Sequence, residues 1–221
     1  MDGYTRRMTE SSPSRPRIGA TALILIAALA VAIGFFAGSR FLGTPAAAPV
    51  KTAVMYPAPR ALPDFQLVQA DGSPLTAADW KGRWNLVFIG FTHCPDVCPN
   101  TLAVFRQVWG LLEPQGLLPR LRFDFISVDP ERDDGKRLAD YVGYFHKDFS
   151  AASGSDEELT RFTRALGLVY ARVPGEGDRY SVDHSASVVI VDPEGRVVGL
   201  FRPPFEAAPI AADLAVLAGN R

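Results

Sequence analysis

Thiols are scarce in this chain: two cysteines stand among 221 residues, with three histidines and three methionines. Any thiol or soft-metal chemistry is therefore confined to a handful of positions. The formal net charge is −1, which leaves no strongly basic surface, and no nucleic-acid partner is expected. There is no internal repeat and no long low-complexity tract. Charge itself is missing from one place: Ile18 to Ser39, IGATALILIAALAVAIGFFAGS, has no charged side chain in 22 residues. No cysteine lies near that stretch to accept a lipid.

As a helix the uncharged stretch would span roughly 33 Å at ~1.5 Å per residue, enough to cross a ~30 Å hydrocarbon core. A buried core helix usually shows a polar stripe, whereas this one is apolar all round. Arg6, Arg7, Arg15 and Arg17 precede it, while only Arg40 and Lys51 follow closely. The positive-inside rule then gives a cytoplasmic N-terminus over 1–17, a transmembrane anchor over 18–39 and a domain across the membrane. Cleavage near Ala46-Ala47-Ala48 is the competing reading. Against it, the apolar run exceeds the ~7–15 residues of a signal peptide, and Pro49 would follow the cut. The expectation is a single-pass protein of a bacterial inner membrane, its domain in the oxidising periplasm.

Residues 40–63 hold five prolines and no hydrophobic period, the composition of a semi-rigid Pro/Ala-rich linker. From 64 to 221 the pattern becomes globular. DFQLVQADGSPLTAADW reads as a hairpin turning at Asp71-Gly72. WNLVFIGF (84–91) is a continuous apolar run, as in a strand covered on both faces. NTLAVFRQVWGLLE (100–113) places Leu102, Phe105, Val108 or Trp109, and Leu112 on one helical face. LRFDFISVD (121–129), LVYARV (168–173), ASVVIVD (186–192) and RVVGLFR (196–202) read as strands. Residues 134–147, 156–166 and 206–218 read as helices, the second capped by Ser155 with Glu158 in capping-box spacing. The order predicts an α/β fold, a thioredoxin-like mixed sheet flanked by helices.

Both cysteines lie in FTHCPDVCPN (91–100), after the central strand and before a helix. Ligands bind at the carboxyl ends of such strands, and a helix N-terminus favours thiolate over thiol. Pro99 biases Cys98 away from helical geometry and suits the first turn of the helix itself. A structural disulfide would close a very small loop and stabilise little. Redox pairs of the thioredoxin kind have two intervening residues, and here there are three. Two soft thiolates suit Cu(I) or zinc, and an imidazole would complete a trigonal site that also accepts Cu(II). Redox chemistry, metal binding, or both, remain open on spacing alone. Of the histidines, His93 adjoins Cys94, but side chains of neighbouring residues diverge, so a supporting role is expected. His146, at the end of a polar helix, reads as solvated. His184 sits in the loop before strand 186–192, which in a thioredoxin-like sheet lies against the cysteine loop. Thioredoxins carry a cis-proline there; none stands here, so the imidazole can approach the thiols. A peroxiredoxin-like enzyme is disfavoured because Phe91 replaces the threonine three residues before the first cysteine.

FIGFTHCPDVCP (88–99), SVDPERD (127–133) and VDHSASVVIVDPEG (182–195) together resemble the Sco/SenC family. Its members are membrane-anchored, thioredoxin-like copper proteins that help assemble the copper centre of cytochrome c oxidase. The resemblance covers about 60–205 and the N-terminal anchor. It implies copper, Cu(I) or Cu(II), held by Cys94, Cys98 and His184, with Asp129 an acidic residue near the site or a turn residue before Pro130. It implies as partners the copper-bearing oxidase subunit, with a periplasmic copper donor or thiol reductase. The expected function is a copper metallochaperone. The alternative is a thiol–disulfide oxidoreductase that reduces the oxidase cysteines through Cys94 and Cys98. One departure is FSAASGSDEE (149–158), where the family has an apolar, glycine-containing segment.

Overall fold

The computed structural model describes residues 19–42, 50–175 and 180–219. Contacts divide the chain into two units, Met1–Ala46 and Ala47–Arg221. The described part of the first unit is one helix, α1 (Ala20–Leu42), along which Ile24, Leu25, Leu29, Val31 and Ile33 are exposed. Among the described residues no helix is long and apolar enough to cross a membrane. The expected anchor at 18–39 falls only partly within them, and the expected cytoplasmic stretch 1–17 lies outside them.

The second unit runs β1 (Val54–Ala61), β2 (Gln66–Gln69), β3 (Pro74–Thr76), β4 (Trp84–Gly90), α2 (Val97–Leu112), β5 (Leu121–Ser127), α3 (Gly135–Phe145) and β6 (Phe149–Ser153). It continues α4 (Asp156–Leu166), β7 (Tyr170–Pro174), β8 (Tyr180–His184), β9 (Val188–Val191), β10 (Arg196–Phe201) and α5 (Ala207–Gly219). Among the described residues, eight strands form one sheet in the order β1-β10-β9-β4-β5-β6-β2-β3, and β7 pairs only with β8. β4, β5 and β6 are mutually parallel, while β9 runs antiparallel to β4. This is the expected thioredoxin-like mixed sheet.

Why β4 is central follows from its side chains. Leu86 and Phe88 point to one face, among Leu102, Phe105 and Trp109 of α2, Leu138 of α3 and Leu214 of α5. Val87 and Ile89 point to the other, among Leu159, Phe162 and Leu166 of α4, Trp80 and the hairpin residues Leu67 and Leu75. Alternation sends every second residue to an opposite face, so covering both faces demands an unbroken apolar run. Removing a ring such as Phe88 would cost about 3–5 kcal/mol.

Four expectations need correction. Residues 54–61, expected within the linker, form the edge strand β1, paired with β10 at Val54↔Leu200, Met55↔Gly199, Arg60↔Val197 and Ala61↔Arg196. Pro57 and Pro59 fall in the irregular stretch between Met55 and Arg60, where a missing N–H costs no ladder bond. The carboxylate of Asp213 in α5 leads into this strand by accepting the backbone N–H groups of Lys51, Thr52 and Ala53 at 2.7–2.8 Å.

FSAAS, not among the strands expected from the sequence, is β6, between β5 and β2. Its alanines carry no strand propensity, but Ala151 and Ala152 are buried in the sheet and Phe149 meets Phe123 and Trp109; tertiary packing overrides local preference. Helix α2 starts at Val97, not at 100, so Cys98 lies inside its first turn. Pro99 is the third helical residue, where the N–H has no partner within the helix. Lastly, His184 ends a strand and does not sit in a loop. The caps agree with the sequence only in part: Ser155 accepts the Glu158 N–H at 3.3 Å, yet the Glu158 carboxylate turns to the Gln66 N–H.

Candidate metal centre

Strand β4 ends at Gly90, and the chain turns through 91–96 into α2. The Cys94 N–H donates to the Phe91 carbonyl at 3.2 Å, and the Val128 N–H donates to the Gly90 carbonyl at 2.9 Å. Gly90 is required here by space. A Cβ on it would lie 2.6 Å from Cys98 Sγ and 2.8 Å from the Phe125 ring, so only glycine admits the sulfur this close. Cys98 is fully buried and Cys94 half-buried, and both are free.

The two sulfurs have unequal protonation. The Cys98 side chain donates toward Cys94, the Cys98 N–H (3.4 Å) adds to it, and together they hold the Cys94 thiol at about 3. The same contact with Cys94, together with burial, pushes the Cys98 thiol far upward. One proton is thus kept between two sulfurs, with the charge on the more accessible one.

His184 arrives from β8. Its Nδ1 stands 3.1 Å from the Ser185 carbonyl, and its Nε2 3.4 Å from Cys98 Sγ. A carbonyl only accepts, so Nδ1 carries the hydrogen and Nε2 presents a lone pair to the sulfurs. The rings of Phe88 and Phe91 meet the imidazole edge-on, at 5.8 Å and 6.1 Å. Ligand atoms of Cys94, Cys98 and His184 all lie within 4.8 Å of one another. Metal–ligand bonds of ~2.0–2.3 Å separate two donors on one ion by up to about 4.6 Å, so this set fits a single soft ion with little movement.

The remaining sequence-based candidates fall elsewhere. Asp129 is fully buried and accepts the Tyr180 hydroxyl at 2.6 Å and the Arg132 Nε–H. Partial burial and that carboxylate push the Tyr180 hydroxyl up to about 12. His93 is exposed, between Thr92 and Arg137, with Nδ1 3.7 Å from Asp133. His146 is half-buried against Phe149, and its Nδ1 accepts the Asp148 N–H at 3.2 Å.

Sequence reasoning passed over Asp133, the last acid of SVDPERD. It is buried and accepts the Thr92 N–H (2.8 Å), the Thr92 hydroxyl (2.5 Å) and the Ser127 hydroxyl (2.6 Å). It therefore fixes the cysteine loop to the end of β5. The available signal was its place in a quoted motif, four residues after Asp129. His93, Asp129 and Asp133 also form a compact group. Its carboxylates are already occupied by Thr92, Ser127, Tyr180 and Arg132, and the Arg132 and Arg137 guanidiniums beside it oppose a cation.

Comparison with known proteins places these features. The sequence model of a family described as SCO1/SenC matches residues 54–219. The chain is 41% identical over 133 residues to "Protein SCO2 homolog, mitochondrial" of Mus musculus, covering 60% of this chain and 52% of the relative. It spans about half the length of that and other mitochondrial relatives. Among solved structures it resembles Bradyrhizobium japonicum ScoI with copper bound, with a TM-score of 0.65 and 31% identity over 71% of this chain and 99% of that one. It also resembles apo Sco1 of Thermus thermophilus, with a TM-score of 0.66 and 32% identity over 75% and 94%.

Proposed function

Because the chain belongs to the SCO1/SenC family, we propose that it is a copper metallochaperone that helps assemble the copper centre of cytochrome c oxidase. Copper is its cargo, held by the thiolates of Cys94 and Cys98 and by Nε2 of His184. The observation that carries this reading is the convergence of those three donor atoms within 4.8 Å, in a chain that resembles a copper-bound ScoI. The fixed Nδ1–H tautomer supports it, since it leaves Nε2 free to coordinate. Two thiolates suffice for Cu(I), and the imidazole adds the third donor that favours Cu(II). Delivery proceeds by stepwise exchange, in which thiols of the recipient displace one donor at a time.

The partners in this reading are the copper-bearing oxidase subunit and a copper donor or thiol reductase of the periplasm. Residues 18–39, uncharged and preceded by four arginines, would anchor the chain in the inner membrane. The stretch up to about 53 would tether the domain and let it reach a membrane-bound recipient.

A second reading is favoured by one observation. Cys94 combines a lowered pKa with partial exposure, beside a buried Cys98 that could resolve a mixed disulfide. That arrangement suits thiol–disulfide exchange with the recipient's cysteines.

The deciding test is titration of the full chain with Cu(I) and Cu(II), wild type against His184→Ala, alongside a disulfide-exchange assay. The expected result is a loss of Cu(II) affinity beyond the ~10–100-fold that follows removal of a supporting residue, a smaller loss for Cu(I), and unchanged exchange. Undiminished Cu(II) binding by His184→Ala would remove the three-ligand site and leave the reductase.

A further inference from the structure

The two halves of the proposed copper site are attached to the domain differently. The cysteines sit between β4 and α2. His184 rides on a hairpin whose strands pair only with each other, and an isolated two-stranded hairpin is barely stable in water. No side chain of β7 is buried, and in β8 only Val182 is.

The remaining attachment is largely polar: Tyr170 and Arg172 of β7 reach Thr160 and Asp156 of α4, and the contacts of Tyr180 run to the segment 129–132. The Arg132 guanidinium lies 3.7 Å from the centre of the Tyr180 ring and 5.6 Å from that of Phe91, the ring that also meets His184. Arg132 Nη1 donates to the Tyr180 carbonyl at 2.9 Å, and Arg132 Nε donates to Asp129. The Tyr180 hydroxyl donates to Asp129 at 2.6 Å and reaches Glu131 at 3.3 Å. Arg172 of β7 donates to Glu131 at 2.9 Å and to Asp156 at 3.1 Å. Tyr180 and His184 are the first and last residues of β8, so whatever fixes Tyr180 fixes the strand that carries the imidazole.

We propose that Asp129, Arg132 and Tyr180 form a latch that positions His184. Closed, it seats the hairpin so that Nε2 faces the sulfurs; open, it leaves a two-thiolate site that retains Cu(I) and binds Cu(II) poorly. The three are positioning residues, acting through the hairpin and touching no copper. The proposal rests on the reading of Cys94, Cys98 and His184 as ligands.

The test is Tyr180→Phe in the full chain, which keeps the stacked ring and removes the hydroxyl. Two quantities are measured: amide hydrogen exchange of 181–184 in the metal-free protein, and affinity for Cu(I) and Cu(II) supplied as the ions. The expected outcome is exchange at least ~10-fold faster in the hairpin alone, Cu(II) affinity lower by ~10–100-fold and Cu(I) affinity within about 3-fold. Unchanged exchange and unchanged Cu(II) affinity would overturn the latch. Equal loss for both ions, with exchange raised throughout the sheet, would overturn it too, since that is the mark of general structural support. Should Tyr180→Phe fail to fold, Arg132→Lys keeps the charge but loses the planar stack and the fork, and the same outcomes decide. His184→Ala separates the two ideas. If it leaves Cu(II) affinity intact, the ligand reading fails; if it lowers that affinity while Tyr180→Phe does not, only the latch fails.

Discussion

The cysteine loop and the histidine hairpin bring donor atoms to the proposed copper site by opposite means. The loop is set in the core: Cys98 is fully buried, Gly90 leaves no space for a Cβ beside it, and Asp133 accepts three hydrogen bonds that tie Thr92 to Ser127. The hairpin lies outside the main sheet and is attached through Val182, the half-buried rings of Tyr170 and Tyr180, a stacked guanidinium and ion pairs. Dense burial gives a fixed geometry, while polar attachment gives a part that opens at low cost. Such an asymmetry would suit the proposed copper carrier: in that reading the thiolates retain the ion while the imidazole leaves.

The comparison is broken most forcefully on the loop side. Asp133→Ala strands the Thr92 N–H and two hydroxyls, and burial makes that costly: a loss of at least about 3 kcal/mol is expected, or roughly 6–12 °C in melting temperature for a domain of this size. Calorimetry of the metal-free protein checks it, and a shift under 2 °C would mean the loop is not anchored there.

Next in size is Gly90→Ala. Overpacking against Cys98 Sγ and Phe125 should cost about 1–3 kcal/mol and displace the sulfur, so Cu(I) affinity falls together with stability. Preserved affinity in a folded protein would show that the sulfur has room to move.

A third prediction sharpens the electrostatics of the loop. Because the Cys94 thiol is lowered from 9.0 to about 3, iodoacetamide should alkylate wild type at a rate nearly independent of pH between about 5 and 8. Cys98→Ala removes the largest cause, and the rate should then rise with pH. The sign for stability follows from the depressed value: this contribution is fully present above pH 9, and it is lost as pH falls toward 3. A wild-type alkylation rate rising tenfold per pH unit up to 8 would contradict it.

The smallest effect belongs to the hairpin. Arg172→Ala removes exposed ion pairs with Glu131 and Asp156, worth about 0–1 kcal/mol. Melting temperature should hardly change, while hairpin amides exchange faster. A large global loss would show that the hairpin belongs to the core after all.

The same asymmetry explains what could be read from the sequence. The buried half was legible because burial on both faces writes an unbroken apolar run at 86–91 and a 3.6-residue period through Leu102, Phe105 and Leu112. All of these residues are buried. Cys94, Cys98 and His184 were legible as residue types in a motif, and the structure brings them together. What local pattern could not reveal was pairing imposed from outside. β1 contains two prolines and β6 two alanines, and only partners distant in sequence make them strands. The role of Asp129 was hidden likewise, since its partner Tyr180 stands 51 residues away. Asp133 could have been found by asking which acid of SVDPERD would be buried at the end of a central strand.

X-ray absorption at the copper edge of the copper-loaded full chain tests the central claim most directly. The account predicts two sulfur neighbours at ~2.3 Å and one imidazole nitrogen at ~2.0 Å, with the nitrogen signal lost in His184→Ala and both sulfurs retained. An unaltered nitrogen signal in that variant, or a shell without two sulfurs in the wild type, would contradict it.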